Sequence, residues 1–325
     1  MTRQFWIILL AMAIAIPPLR AEDSGGFAGS FLRVGLGARA LGMGNAQVAT
    51  ADHGYGSFYN PAALPNLTER HLAFSYSDMS LDRRHNFIGF AMPLQPLAGV
   101  SAGWINSGVG DLRAYNSVGQ DVGEISHGLN ALYFSFGVSP IALAQADKAL
   151  KGLPTDLITI GLSVKFVWED ISDNEDYEYD GSGVGADLGV LIRPHRRLTF
   201  GYQLKDVNAR LESNTNDLFD RGSQLDNAFP LTQKVGAFFH TPLDWLSAAY
   251  DFEWNDAGRE EHHMGVEMVS PWAIGRLGLD DGRVTVGGGI DFRAYRRLNM
   301  VLDYAFVDDV VDEGISHVFS WQMRF

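Results

Sequence analysis

The chain has 325 residues, with 39 acidic against 25 basic side chains and a formal net charge of -14. That balance argues against nucleic acid as a partner, and the absence of cysteine excludes disulfides, thiolate metal sites and acylation at an N-terminal cysteine. At 46% hydrophobic and 12% aromatic, the composition suits an exported soluble protein and a membrane barrel equally, so periodicity has to decide between them.

Residues 1–21 read as a secretory signal peptide: a short start carrying Arg3, an apolar run from Phe5 to Ile16, then Pro17-Pro18-Leu19-Arg20-Ala21. The run is about a dozen residues, short of the ~20 that a membrane-spanning helix needs, and cleavage is expected near Ala21. Residues 22–66 are rich in glycine and alanine and do not alternate, so they make a poor lipid-facing strand. Placed before a barrel, such a segment is expected to fold into the lumen or close one mouth as a plug or hatch.

From about Leu72 to the end, over a barrel region of 67–325, the sequence alternates with period two. Phe319, Trp321, Met323 and Phe325 point one way, with Ser316, Ser320, Gln322 and Arg324 the other. Ile160, Leu162, Val164, Phe166 and Trp168 stand likewise against Thr159, Gly161, Ser163 and Lys165. The second face mixes glycine and serine with single charges, as a polar lumen does, and the bulky face carries Trp104, Trp168, Tyr202, Trp254 and Trp321 as candidate interfacial girdles. The fold class is therefore all-β, a transmembrane antiparallel β-barrel of about fourteen strands, at 71–79, 85–93, 97–107, 128–139, 156–169, 182–193, 197–207, 230–240, 245–254, 262–270, 273–280, 283–293, 297–307 and 315–325. Connections 108–127, 170–181, 208–229, 255–261 and 308–314 are long and polar, as outer loops are. Asp281-Gly282 suits a two-residue hairpin turn, and Ile141 to Lys151 reads as a helix stopped by Gly152 and Pro154.

The stretch Gly35-Leu36-Gly37-Ala38-Arg39-Ala40-Leu41-Gly42-Met43-Gly44-Asn45-Ala46 has neither the βαβ context nor the GK[ST] of a phosphate loop. Its glycines imply tight turns and close packing. With Phe31-Leu32-Arg33 before it, Ala51-Asp52 after it and then Asn60-Pro61-Ala62-Ala63-Leu64, the segment resembles the start of the PorV/PorQ family and, more broadly, of the FadL-type long-chain fatty-acid transporters. The resemblance implies a fourteen-stranded barrel with an N-terminal hatch. Arg33, Gly35, Gly37, Arg39, Gly42, Gly44 and Asn45 would form the plug motif, and Asn60, Pro61 and Ala62 the junction with the first strand. It also implies two roles: engagement of exported protein cargo for secretion or surface assembly, through loops 108–127 and 208–229 and the lateral rim, or transport of hydrophobic molecules past a hatch hinged at Gly42 to Asn45. The inward charges, awkward for a greasy conduit, tilt the sequence reading toward cargo.

Trp321, Met323 and Phe325 look like the terminal signal that the barrel-assembly machinery reads. The acidic run 169–180 is expected to be a solvated outer loop near lipid and lipopolysaccharide, with Asp176, Glu178 and Asp180 in a partial calcium-loop spacing. His262 and His263 are adjacent and point to opposite faces, so they cannot chelate together. No nucleophile motif stands out and no cofactor is expected, so the reading is non-enzymatic. The inward charges Lys165, Lys205, Arg293 and Arg324 against Asp187, Asp251, Glu253, Glu267, Asp291 and Asp303 are expected to pair with one another and with Arg33 and Arg39, holding the hatch.

Overall fold

The computed structural model describes residues 28–50, 53–115, 118–144, 152–172, 178–214, 224–295, 297–308 and 314–325, so residues 1–21, expected as a signal peptide, and Asp176 lie outside the described residues. Fourteen strands form the wall: β1 (His71–Met79), β2 (Arg83–Leu94), β3 (Ala98–Tyr115), β4 (Asp121–Val138), β5 (Ile158–Ser172), β6 (Glu178–His195), β7 (Leu198–Val207), β10 (Thr232–His240), β11 (Leu246–Asn255), β12 (Glu260–Val269), β13 (Ile274–Asp280), β14 (Arg283–Tyr295), β15 (Leu298–Asp308) and β16 (Ile315–Arg324). Two more, β8 (Arg210–Asn214) and β9 (Gln224–Ala228), form a hairpin inside the long connection between β7 and β10. Each wall strand pairs antiparallel with its neighbours, and β1 pairs with β16 from His71↔Arg324 to Asp78↔His317, so the sheet closes. Closure removes the unpaired edges that hydrocarbon cannot satisfy. Arg70 and Phe325 complete the seam by exchanging backbone bonds of 2.9 and 3.0 Å.

The alternation maps onto the two sides of this wall. Ile160, Leu162, Phe166, Val184, Leu188, Ile192, Phe319, Trp321 and Phe325 are exposed on the outside, while Ser163, Lys165, Asp187, Ser320 and Gln322 between them are buried within. Several sequence expectations need correction. Loops 108–127 and 170–181 are mostly strand, because β3 and β4 run on to Tyr115 and Asp121, and β5 and β6 to Ser172 and Glu178. Here the residues lose their buried face and with it the alternation that marks strands elsewhere. Trp104 therefore sits mid-strand opposite Ile88 and Leu132; the exposed Trp245 and Trp272, in or beside the short turns, occupy the wall's edge instead. Of the helix expected over 141–151, the described residues show one turn, Pro140–Leu143, capped by Ser139 Oγ accepting from Ala142 N at 3.1 Å; residues 145–151 lie outside the described residues.

Candidate functional site

Residues 28–67 lie within the wall as a chain of short helical turns, Ser30–Arg33, Ala38–Gly42, Gly56–Tyr59 and Pro61–Asn66. The space they occupy comes from glycines on the inner face. Gly99, Gly137, Gly161 and Gly189 are successive cross-strand partners on β3 to β6, and Gly201 with Gly236, then Gly265 with Gly278, are further pairs. A side chain at any of these would meet the inner segment: Leu64 at Gly99, Pro61 at Gly137 and Gly161, Asn60 at Gly189, Val48 at Gly201, Met43 at Gly265 and Gly44 at Gly278. Gly287 rests against Gly42. The segment is thus a ring of chain seated on a glycine belt. Its contacts run backward along the wall from β14 at Gly42 to β7 at Val48 and again from β6 at Asn60 to β3 at Leu64, with Gly54 between them set against β1 and β16.

The resemblance-derived residues have distinct places on this ring. Gly35 and Gly37 adopt φ of 88° and 81°, which side chains disfavour, and Asn45 turns at φ 63° with Gly44. Gly44 N donates to Thr285 Oγ1 at 3.1 Å. Asn60 is fully buried: its Nδ2 donates to Val48 O at 2.8 Å and reaches Val190 O and Tyr202 O on the wall at 3.2 and 3.3 Å, while Oδ1 accepts from Ala62 N at 3.1 Å. One amide side chain therefore joins two turns of the ring to β6 and β7. Tyr59 exchanges hydrogen bonds with the backbone of Leu36, and burial holds its phenol well above the ordinary value.

Most inward charges are paired. Arg39 grips Glu267 with two bonds of 2.9 Å, and Arg276 donates to Glu267 at 2.7 Å and to Asp303 at 2.7 Å. Such bidentate pairs combine charge with fixed geometry. Asp251 Oδ2 accepts from the backbone N–H groups of Gln47 and Val48 at 2.7 and 2.8 Å. Lys165 donates to Asp187 at 2.6 Å and Asp206 at 2.5 Å, and Lys205 donates to Leu32 O at 2.8 Å. Asp206, Lys234 and Arg276 belong to this network although the sequence reading did not single them out. For two of them the signal was phase: Arg276 falls in step with Gly278 and Asp280, and Lys234 with Thr232 and Gly236, whereas Asp206 shares the phase of the outward Phe200. Arg293 and Asp291 do not hold the segment; both are exposed toward the end of β14, where Asp291 pairs with Arg324 at 2.5 Å. Arg33 donates to Ala28 O at 3.3 Å. Of the calcium-like spacing, Glu178 and Asp180 belong to β6, where Asp180 is exposed, and Asp176 lies outside the described residues.

The charges gather mainly on β10 to β15; the other side of the lumen carries an aromatic and aliphatic cluster set among buried polar side chains such as His85, Ser135 and Lys165. There Tyr55, Phe58, Tyr59, Phe31, Leu32 and Leu36 of the ring pack with Ala73, Phe87, Ile105, Ala131, Tyr133 and Val167 of β1 to β5. Phe58 meets Tyr59 and Tyr133 edge to face at 5.1 and 5.8 Å, and Tyr55 meets Phe87 at 5.4 Å. Ala209, Leu211 and Phe229, at the feet of the β8–β9 hairpin, are buried in the same cluster. Connection 208–229, expected as an outer loop that engages cargo, thus turns Ala209, Leu211 and Phe229 inward, while β8 pairs with β6 at Gly181 and Ser182 and residues 226–228 stay exposed. On the lipid side, a groove of about 480 Å³ lies over Gly288 between Ile274, Ile290, Leu302, Tyr304 and Trp321. It sits where pairing of β14 with β13 stops at Ile274↔Gly289.

No protein-family model and no curated protein matches this sequence. Its fold is nevertheless shared with solved structures. The P. putida toluene transporter TodX aligns with a TM-score of 0.56 at 13% identity, over 90% of this chain and 99% of that one. The CymD monoaromatic hydrocarbon channel aligns at 0.60 and 13%, over 92% and 99%. A Pseudomonas aeruginosa FadL homologue aligns at 0.58 and 12%, over 89% and 97%. At this identity the likeness concerns architecture: the chain has the fold of FadL-type barrels. None of these three carries the PorV-type secretion reading, and the inward charges that tilted the sequence toward it mostly satisfy one another.

Proposed function

We propose that this barrel resides in the bacterial outer membrane and passes hydrophobic molecules such as monoaromatic hydrocarbons or long-chain fatty acids. The observation that carries this reading is the segregation of the lumen. An aromatic cluster between the ring and β1 to β5 gives an apolar solute rings and aliphatic side chains to pack against, while the ion pairs that anchor the ring stand mainly on the opposite wall. The cluster is packed in this state, so passage requires the ring and the feet of the β8–β9 hairpin to shift. The groove over Gly288 offers the lipid-side surface onto which a solute would leave. The architecture of the toluene transporter and hydrocarbon channel supports the same choice of solute. Residues 1–21 serve as the export signal, 22–66 as the hatch, and Trp321, Met323 and Phe325 as the assembly signal. A secretion role draws no support from the feet of connection 208–229, where Ala209, Leu211 and Phe229 are buried against the aromatic cluster. The reading is non-enzymatic.

Cells lacking their own hydrophobe channel and expressing this chain are expected to take up a radiolabelled fatty acid or toluene several-fold faster than cells expressing an unrelated barrel, with no change for a disaccharide. Equal hydrophobe uptake in the two strains contradicts the proposal.

A further inference from the structure

Near the end of the barrel that carries the long hairpins, β11 and β12 bring Glu253, Glu261 and His263 together on the inner face. Glu253 and Glu261 are direct cross-strand partners, and His263 lies two residues further along the same face. One carboxylate oxygen from each glutamate and one ring nitrogen lie within 4.8 Å of one another. His263 Nε2 is 3.6 Å from Glu253 Oε2 and 3.9 Å from Glu261 Oε2, beyond hydrogen-bond reach, and it has no hydrogen-bond partner. Yet the side chain is only 2% exposed. A buried polar atom without a partner demands a reason.

The rest of the ring suggests one. Nδ1 lies 2.6 Å from Asp280 Oδ1, and a proton shared there leaves the Nε2 lone pair aimed between the two glutamates. Metal-bound imidazoles commonly have such a carboxylate behind them. The charges also leave room for a cation. Lys234 lies 3.2 Å from Glu253 and 3.9 Å from Asp251, Arg283 3.4 Å from Asp280, and Arg259 meets Glu261 through Oε1, the oxygen turned away from His263. Four carboxylates thus share three basic side chains. An ion about 2.1 Å from each of three ligands holds them roughly 3.0 to 3.6 Å apart, so Glu253 and His263 already fit, and Glu261 Oε2, 3.9 Å from the ring nitrogen and within 4.8 Å of the other carboxylate, has to close in on them. Lys234 can turn to Asp251 as the ion takes Glu253. The glutamate side chains are 17% and 12% exposed, which leaves a way in.

We propose that Glu253, Glu261 and His263 bind zinc or a similar transition-metal dication, with Asp280 positioning the imidazole. A nitrogen ligand beside two carboxylates suits such an ion better than calcium or magnesium, which take oxygen alone. Glu253 also borders a cavity of about 20 Å³ shared with Leu32, Arg33 and Asn45, so the ion would sit beside the ring.

The test is calorimetric titration of zinc into the untagged full-length barrel in detergent, with cobalt absorption as an independent readout. One zinc per chain is expected, bound at least about tenfold more weakly by both His263→Ala and Glu261→Gln. Cobalt should develop visible bands in the wild type and not in His263→Ala. His262→Ala should bind as the wild type does, because that ring lies on the other face against Tyr250 Oη at 2.8 Å. Fast migration of the unboiled protein certifies the fold of each variant, and Glu261→Gln, nearly isosteric, decides the matter if His263→Ala does not fold. Absence of saturable zinc binding by the wild type, or equal binding by folded Glu261→Gln, overturns the proposal.

Discussion

Replacing Gly161 by valine is expected to unseat residues 60–66 from the wall and open the lumen. Gly161 faces inward on β5, and even a single added carbon would overlap the Pro61 carbonyl and the Ala62 nitrogen. These are backbone atoms, so no rotamer change relieves the collision. Overpacking typically costs about 1–3 kcal/mol where side chains can adjust, and here the adjustment is loss of a packed turn together with the four bonds made by Asn60. The barrel itself should survive, since its ladder does not depend on the ring. We therefore expect near-normal heat-modifiable migration, a lower melting temperature and new tryptic cleavage at Arg39, whose ion pair with Glu267 otherwise shelters it. Gly288→Ala is the control: on the lipid side, its nearest neighbour would be Ile274 O at an ordinary 3.6 Å. Gly161→Val with trypsin resistance and melting equal to the control would refute the belt as the seat of the ring.

Lys165→Met should be the most destabilising change in the wall. The ammonium is 0% exposed and bridges two carboxylates, Asp187 and Asp206, each 1% exposed; Asp187 also accepts from the Asp206 backbone N–H at 2.8 Å. Removing the cation strands two buried negative charges, and breaking a buried pair costs about 3–5 kcal/mol. The penalty lies mainly in the orphaned acids rather than in the lost contact. The triple variant Lys165→Met, Asp187→Asn, Asp206→Asn should therefore recover most of the loss, a coupling that chemical denaturation of the detergent-solubilised barrel can measure. If the triple variant is no more stable than Lys165→Met alone, the lysine acts by packing and the electrostatic account is wrong.

The wall was legible because lipid on one side and a polar, filled lumen on the other impose strict alternation, as in Ile160 to Trp168 and Phe319 to Phe325. All fourteen wall strands can be read from that pattern, and Asp281-Gly282 makes the tight turn its residues suggest, with φ of 49° and 85°. Alternation is silent where neither face is buried, so the outer reaches of β3 and β4 read as loop. The β8–β9 hairpin was missed for a related reason: among the described residues of that connection the buried apolar side chains are Ala209, Leu211 and Phe229, too few to set a period. The glycine belt carried a signal that went unread. Gly99, Gly137, Gly161 and Gly189 each fall at the lumen phase of their strand, but only the register of four neighbours brings them into one row. Pairing of inward charges followed from the need to satisfy buried polar groups, whereas their partners depend on three-dimensional reach: Arg39 finds Glu267, 228 residues away.

The central claim is that hydrophobes pass only when the ring moves, and the ion pair of Arg39 with Glu267 gives a handle on it. Because the native chain has no cysteine, Arg39→Cys and Glu267→Cys can be joined uniquely by a short reducible cross-linker and hydrophobe uptake followed in the same cells before and after reduction. The account predicts that bridging abolishes uptake and that reduction restores it; uptake by the bridged protein at the reduced rate would contradict it.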